Sequence, residues 1–436
     1  MRIVKVSDGD LDAFGGCRCL SFGGRGFFYV TTHGGRFYLV DPDGYAFIVR
    51  GVNYVRFNGD VSIGGDVPYT ANLFRRYGSR DAWVRETVRR LREWGFNTVA
   101  WSDIDLGVPY AINLQLTPGY YWLKSGLLAR RRLVLARDPD VLWQPFGTFP
   151  DVYDPDYEGL IREWASRLVR PKDSMLVGYF TDNELDFNPD VVFREYADMT
   201  PNEPGKQALI KFIRDFFKDD VNELNRSLGL RVKSFDDLID YTWREFNVIE
   251  SRGVNLRILK EAFTREVARR YVEITTSVIK SLDPNHLILG SRFAGDNAKA
   301  SIESFSGFDV LSNNYYGENP PIGYFNYVHY KTGRPIILSE FGFRARDTGH
   351  PNARGAGITV DSQLERALYV RSWVTCLIQQ PWFLGYLWWE YMDEPMDGRR
   401  PDGEDSNYGL VNLNDEPYAD VVEAFKEVNR LFPIPD

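Results

Sequence analysis

Two glutamates stand at the exits of short apolar runs in this 436-residue chain. Met175–Phe180 leads into Thr181-Asp182-Asn183-Glu184, and Pro335–Leu338 leads into Ser339-Glu340-Phe341-Gly342. An ionised carboxylate is costly to strip of water, so two of them closing buried strands point to a site. Closure of an ion pair at the rim is the competing reading. The chemistry that needs such a pair is glycoside cleavage. One carboxyl group, held protonated, donates to the leaving oxygen. The other, ionised, attacks the anomeric carbon when configuration is retained. Glu184 is expected to be the general acid/base and Glu340 the nucleophile.

Other candidate strand ends supply the surroundings. Asn183 precedes Glu184, and its amide suits the sugar 2-hydroxyl. Asn53 closes the first strand. Arg292 closes the fifth, where a guanidinium would keep Glu340 ionised. Asn314, Tyr315 and Tyr316 close the sixth, offering a hydroxyl to the nucleophile. Trp388, Trp389 and Glu390 close the eighth, offering an indole floor for a sugar ring. Neighbours in a strand face opposite ways, so which tyrosine and which tryptophan point inward stays open.

Such positions must be held by a scaffold of parallel strands. Residues 1–45 read as short strands and Gly-rich turns, a small hairpin extension capping the main body. From residue 46 strand and helix alternate. Strands are expected at Ala46–Val55, Phe96–Ser102, Val108–Leu114, Met175–Phe180, Leu287–Phe293, Phe308–Tyr315, Pro335–Phe341 and Phe383–Trp389. A long loop is expected from Leu114 to Pro150. Ser79–Gly95, Asp156–Arg170, Leu256–Leu282 and Tyr418–Leu431 carry helical spacing. Residues 190–255, polar and without strand candidates, read as a helical insertion after strand 4. An α/β fold of the (β/α)8 TIM barrel type over residues 46–436 is the simplest closed solution. An open doubly wound sheet is the alternative, weakened by the lack of a Gly-x-Gly-x-x-Gly turn.

Composition narrows the partners. The net charge is -9, so a polyanion gains little and nucleic acid is not expected as a partner. No run is long and apolar enough to suggest a membrane span, and no apolar leader follows the initial Met, so a cytoplasmic location is expected, or a secreted one had a leader been trimmed. Cys17, Cys19 and Cys376 are expected as reduced thiols. The four histidines, His33, His286, His329 and His350, lack metal-ligand spacing, so neither a metal nor a cofactor is expected. No Gly-x-Ser-x-Gly elbow or phosphate-binding loop occurs. With 11 Trp and 25 Tyr, the aromatic content suits a carbohydrate partner. The competing functional class is a carbohydrate-binding barrel without catalysis. Nothing in the residues fixes an oligomeric state.

Asn183-Glu184 with Glu340 resembles the paired signatures of the clan A retaining glycosidases. A narrower resemblance is to glycoside hydrolase family 50, the β-agarases. It is carried by Phe149-Pro150-Asp151-Val152-Tyr153-Asp154-Pro155, Gly178–Leu185, Ser339-Glu340-Phe341, Gly355-Ala356-Gly357 and Tyr391-Met392-Asp393-Glu394-Pro395. Gly398-Arg399, Asp402-Gly403-Glu404 and Tyr408-Gly409-Leu410-Val411 extend it. The resemblance implies a retaining mechanism and the two glutamate roles; the substrate expected for the chain is a β-linked oligo- or polysaccharide of agarose, galacto or gluco configuration. Trp388-Trp389-Glu390 departs from the family pattern.

Overall fold

The alternating apolar runs become, in a computed structural model that describes residues 2–102, 105–125 and 149–435, one curled sheet of nine parallel strands. In chain order they are β1 (Val49–Asn53), β2 (Thr98–Ala100), β3 (Tyr110–Asn113), β4 (Leu176–Phe180), β5 (Leu287–Ile288), β6 (Phe293–Ala294), β7 (Leu311–Asn314), β8 (Ile336–Phe341) and β9 (Phe383–Trp388). Their order across the sheet is β5-β4-β3-β2-β1-β9-β8-β7-β6, with every neighbouring pair parallel. As expected of strands covered on both faces, β1, β4, β7, β8 and β9 are buried at every position, with polar residues toward the carboxyl ends of β7 and β8.

This sheet corrects the closed eight-stranded (β/α)8 expectation. The single strand expected over Leu287–Phe293 is broken into β5 and β6, which form the two edges. The break has a local cause. Gly290 sits at φ 95, where a side chain is strained, and a Cβ there would lie 2.9 Å from the Ser312 nitrogen. Arg292 follows at φ 47. The segment between the edges still bonds to both sides. Leu289 N–H donates to Tyr179 O at 2.7 Å, and Val310 N–H to Ile288 O at 3.1 Å.

The amino end of the sheet is plugged by the chain's first part. The expected hairpin is one half of a four-stranded antiparallel sheet ordered Cys17–Ser21, Tyr45–Phe47, Arg36–Val40, Tyr29–His33. Gly34 and Gly35, both at positive φ, make its two-residue turn. Phe28, Leu39 and Phe47 from this region join Val49, Val177, Ile337 and Leu384 in one buried cluster. Cys17 and Cys19 are two apart on one strand, so their side chains share a face, and they form a disulfide across 5.1 Å between Cα atoms. That corrects the expectation of three thiols; Cys376 alone is free. Arg2–Lys5 pairs antiparallel with Leu431–Ile434, tying the two ends together.

The insertion after β4 is helical, at Pro189–Ala197, Pro204–Phe216, Val221–Leu228 and Trp243–Ser251, before the long helix Arg257–Leu282. Beyond β3, the helix Leu116–Ser125 stands where a loop was expected, and the part of that loop over 126–148 lies outside the described residues. No described helix is long and apolar enough to cross a membrane.

Candidate active site

Both glutamates emerge at the carboxyl ends of their strands, where parallel sheets place ligands. Five non-glycine residues in the segments that follow strand ends hold left-handed backbone: Tyr54 (φ 64) after β1, Trp101 (φ 55) after β2, Gln115 (φ 48) after β3, Glu184 (φ 56) after β4 and Arg292 (φ 47) between β5 and β6. Each such residue costs about 1–3 kcal/mol and persists only where its surroundings enforce it. Their concentration along one rim makes that rim the candidate site.

Glu340 lies within β8 and is 5% exposed. It accepts from the Arg292 guanidinium at Oε1 and from the Tyr316 hydroxyl at Oε2, the latter at 2.8 Å. Arg292 is fully buried, with its guanidinium carbon 4.9 Å from the Phe180 ring centroid and 6.0 Å from that of Trp101. Its Nε donates to Asn183 Oδ1 at 2.7 Å. That bond fixes the amide of Asn183, so its Nδ2 is left as a donor.

Glu184 has a different environment. Among the described residues its one side-chain hydrogen bond is from the neutral amide of Asn314, whose Nδ2 lies 2.9 Å from Oε1. Asn314 is oriented in turn by Ser339, whose hydroxyl donates to its Oδ1 at 2.7 Å. Glu184 keeps part of its surface in solvent, yet it is recessed among protein atoms. Removal from water, then repulsion from Glu340, pushes its carboxyl up from the ordinary 4.5 to about 7. Asn314 and Glu340 are register partners across β7 and β8, so one pair of strands brings the two carboxyl groups into a single polar cluster.

The loop under Glu184 is anchored by Asp182, a buried residue absent from the expected set. Its carboxylate accepts from Thr117 N at 2.8 Å, Thr117 Oγ1 at 2.9 Å and Tyr271 Oη at 2.6 Å. Burial still raises it to about 6.

The expected residues therefore divide. Glu184, Glu340, Asn183, Arg292, Asn314 and Tyr316 converge. Tyr315 does not: only its backbone N–H reaches Glu340 O, and its ring packs on Tyr324 and Phe325. Asn53 is buried, and its Nδ2 donates to the carbonyls of Ser339, Leu387 and Trp388 at 3.1, 3.4 and 3.2 Å. It binds strand ends together, and its Oδ1 accepts from Arg292 Nη2 at 3.4 Å, the nitrogen that also reaches Glu340. Trp388 faces the helices, against Phe341 and Phe425, with Nε1 on Tyr408 O. Trp389 takes the rim position, 5.1 Å from Tyr54, which in turn lies 6.4 Å from Trp101. Glu390 is wholly buried, neither carboxyl oxygen is hydrogen-bonded to the described residues, and burial raises its pKa well above the ordinary value.

Three neighbours were missed. Trp101 directly follows β2, so the strand-end rule would have found it. Arg399 stacks on Trp389 at 5.5 Å and binds Asp402 and Glu404, each at 2.7 Å. Glu404 is close enough to Glu184 to raise its pKa further. Arg399 and Glu404 stand in stretches that carry the family resemblance, and it is the fold that places their loop at the rim. Among the described residues, no cluster of three or more His, Cys, Asp or Glu side chains is placed to hold a metal.

The curled sheet and its helices are a fold shared with solved structures of agarases. The chain superposes on the structure described as an exo-beta-agarase with a TM-score of 0.79, at 23% identity over 97% of this chain and 67% of that one. For PfGH50B the values are 0.80, 22%, 98% and 69%. In sequence the chain is similar to beta-agarase A of Vibrio sp. (strain JT0107), 29% identical over 401 residues covering 85% of this chain and 38% of that protein. It is also similar to beta-agarase B of the same strain, 25% identical over 488 residues covering 93% and 48%. The chain thus spans less than half the length of either curated relative. No protein-family model matches it.

Proposed function

We propose that the chain is a retaining β-glycoside hydrolase acting on β-linked, galacto-configured chains of the agar type. The observation that carries this is the unlike setting of two neighbouring carboxyl groups. Glu340 is a pure acceptor for a guanidinium and a phenol. Glu184 meets a neutral amide and holds its proton to about pH 7. Environments that differ in this sense assign acid and nucleophile. The similarity to beta-agarases supports the choice of substrate.

In the first step Glu184 gives its proton to the glycosidic oxygen while a Glu340 oxygen attacks the anomeric carbon. The bond to the leaving sugar breaks, and a glycosyl ester of Glu340 forms. In the second, Glu184, now the carboxylate, takes a proton from water, whose oxygen displaces Glu340. Arg292 and Tyr316 receive the carboxylate when it leaves. Asn183 Nδ2 donates to the sugar 2-hydroxyl, a bond that strengthens in the transition state. Trp389, Tyr54 and Trp101 give the ring an apolar wall.

The test is incubation with agaro-oligosaccharides and aryl β-galactosides, with the first-formed anomer read by NMR. The expected product is the β-anomer, and Glu340→Ala abolishes turnover. Tight binding without product, or an initial α-anomer, contradicts the reading.

A further inference from the structure

The helical insertion carries a second feature, distant from the two glutamates in sequence. An open groove of about 510 Å³ lies between the end of the helix Pro189–Ala197 and the start of the helix Trp243–Ser251. Its floor includes the Trp243 indole, and Asp198, Arg244, Asn247 and Val248 line it. The proposed catalysis uses none of these residues.

We propose that this groove is a surface binding site for a neutral β-linked galactan, separate from the catalytic rim. A pyranose is recognised by an aromatic face against its C–H groups and by planar polar side chains against its hydroxyls. The groove offers that combination. Asn247 stands one turn from Trp243 on the same helix face. The side chains of Arg244 and Asn247 make no hydrogen bond or ion pair with the described residues, so their donors are available.

The indole is also held in place. Lys260 Nζ sits 4.5 Å from its ring centroid and is itself fixed by Asp190 and Glu250 at 2.8 and 2.6 Å. Asp198 Oδ1 accepts the Trp243 backbone N–H at 2.7 Å. Phe246, behind the groove, packs on Phe193 at 4.9 Å. A preorganised aromatic loses little entropy on binding.

Charge selects the occupant. Asp198 and Arg244 are the ionisable side chains lining the groove, one of each sign, so a sulfated polymer finds no cluster of cations. One indole and one half-exposed valine are too little apolar surface for a peptide helix. The insertion leaves the sheet at the end that carries Glu184, and the helix Pro189–Ala197 spans about 13 Å. Only the choice of ligand rests on the proposed function.

The test is native electrophoresis of Glu340→Ala protein through polyacrylamide containing low-melting agarose, dextran or carrageenan. Agarose is expected to retard it. Trp243→Ala and Asn247→Ala, each added to that background, should bind agarose roughly tenfold more weakly. Asn247 is exposed, so its variant reports even if Trp243→Ala folds poorly. In the parent with an active Glu340, the same two changes should leave kcat/KM on an aryl β-galactoside within about twofold. Equal retardation of all the variants, no retardation of any, or equal retardation by dextran or carrageenan overturns the proposal. Retardation that depends on Trp243, together with a parent that keeps Glu340 yet cleaves nothing, supports this site and removes the catalytic reading alone.

Discussion

Glu184 must give up a proton in one step and recover it in the next, which calls for a pKa near the working pH. Burial and the charge of Glu340 supply that, at about 7 against an ordinary 4.5. The protonated form is the active one in the first step, so kcat/KM should fall as pH rises through about 7. In Glu340→Gln the repulsion is gone and Glu184 titrates lower, as NMR of the labelled carboxyl would show. Stability follows with a definite sign. Between 4.5 and 7 the folded chain keeps a proton that the unfolded chain has released, so stability falls as pH rises through that window. Glu184→Gln removes the cost. It should melt higher than the parent above pH 7, show no advantage below about pH 4.5, and lose roughly 10²–10⁴-fold in rate. A parent that melts as high as the variant at pH 8 would count against the raised pKa. At this scale the two glutamates were legible because each ends an apolar run. Tyr316 could not be separated from Tyr315, because the register shifts between Asn313 and Asn314 and breaks the simple alternation of faces. The bonds of Asn53 could not be read from spacing: its amide nitrogen reaches three backbone carbonyls, and its oxygen accepts from Arg292.

The elements hold the site through a few buried polar links. Asp182 ties the end of β4 to the helices Leu116–Ser125 and Arg257–Leu282 through Thr117 and Tyr271. Tyr271→Phe leaves that buried carboxylate with one donor fewer. A loss of about 1–3 kcal/mol is expected in denaturant melts. Because Glu184 follows two residues later, kcat should drop more than KM rises. A purely structural role would lower stability with unchanged kcat. Most elements could be read from periodicity. Ser79 caps the helix Arg80–Glu93 by accepting from Ala82 N, as its position before the first helical residue suggests. The break at Gly290 and Arg292 could not be read, because an apolar run with one glycine looks like a continuous strand. The pairing of Cys17 with Cys19 also escaped, since it depends on both residues occupying one strand.

Across the whole molecule, the first 45 residues are joined to the sheet by a shared interior rather than by a linker. Phe28 is 1% exposed and meets Phe47 edge-on at 5.0 Å within the cluster that fills the sheet. Phe28→Ala should cost about 3–5 kcal/mol. It should shift one cooperative transition, with near- and far-ultraviolet dichroism melting together. Two separated transitions would mean that the extension folds alone. The composition had suggested a cap but not its depth.

The assignment of roles to Glu340 and Glu184 is tested most directly by azide rescue. Glu340→Ala and Glu184→Ala would be assayed on an activated aryl β-galactoside with azide, and the glycosyl azides resolved by NMR. Azide in the space left by Glu340 attacks from the nucleophile's face and should give the α-azide. Azide replacing Glu184 meets the glycosyl ester and should give the β-azide. A β-azide from Glu340→Ala, or full activity of that variant without azide, would contradict the account.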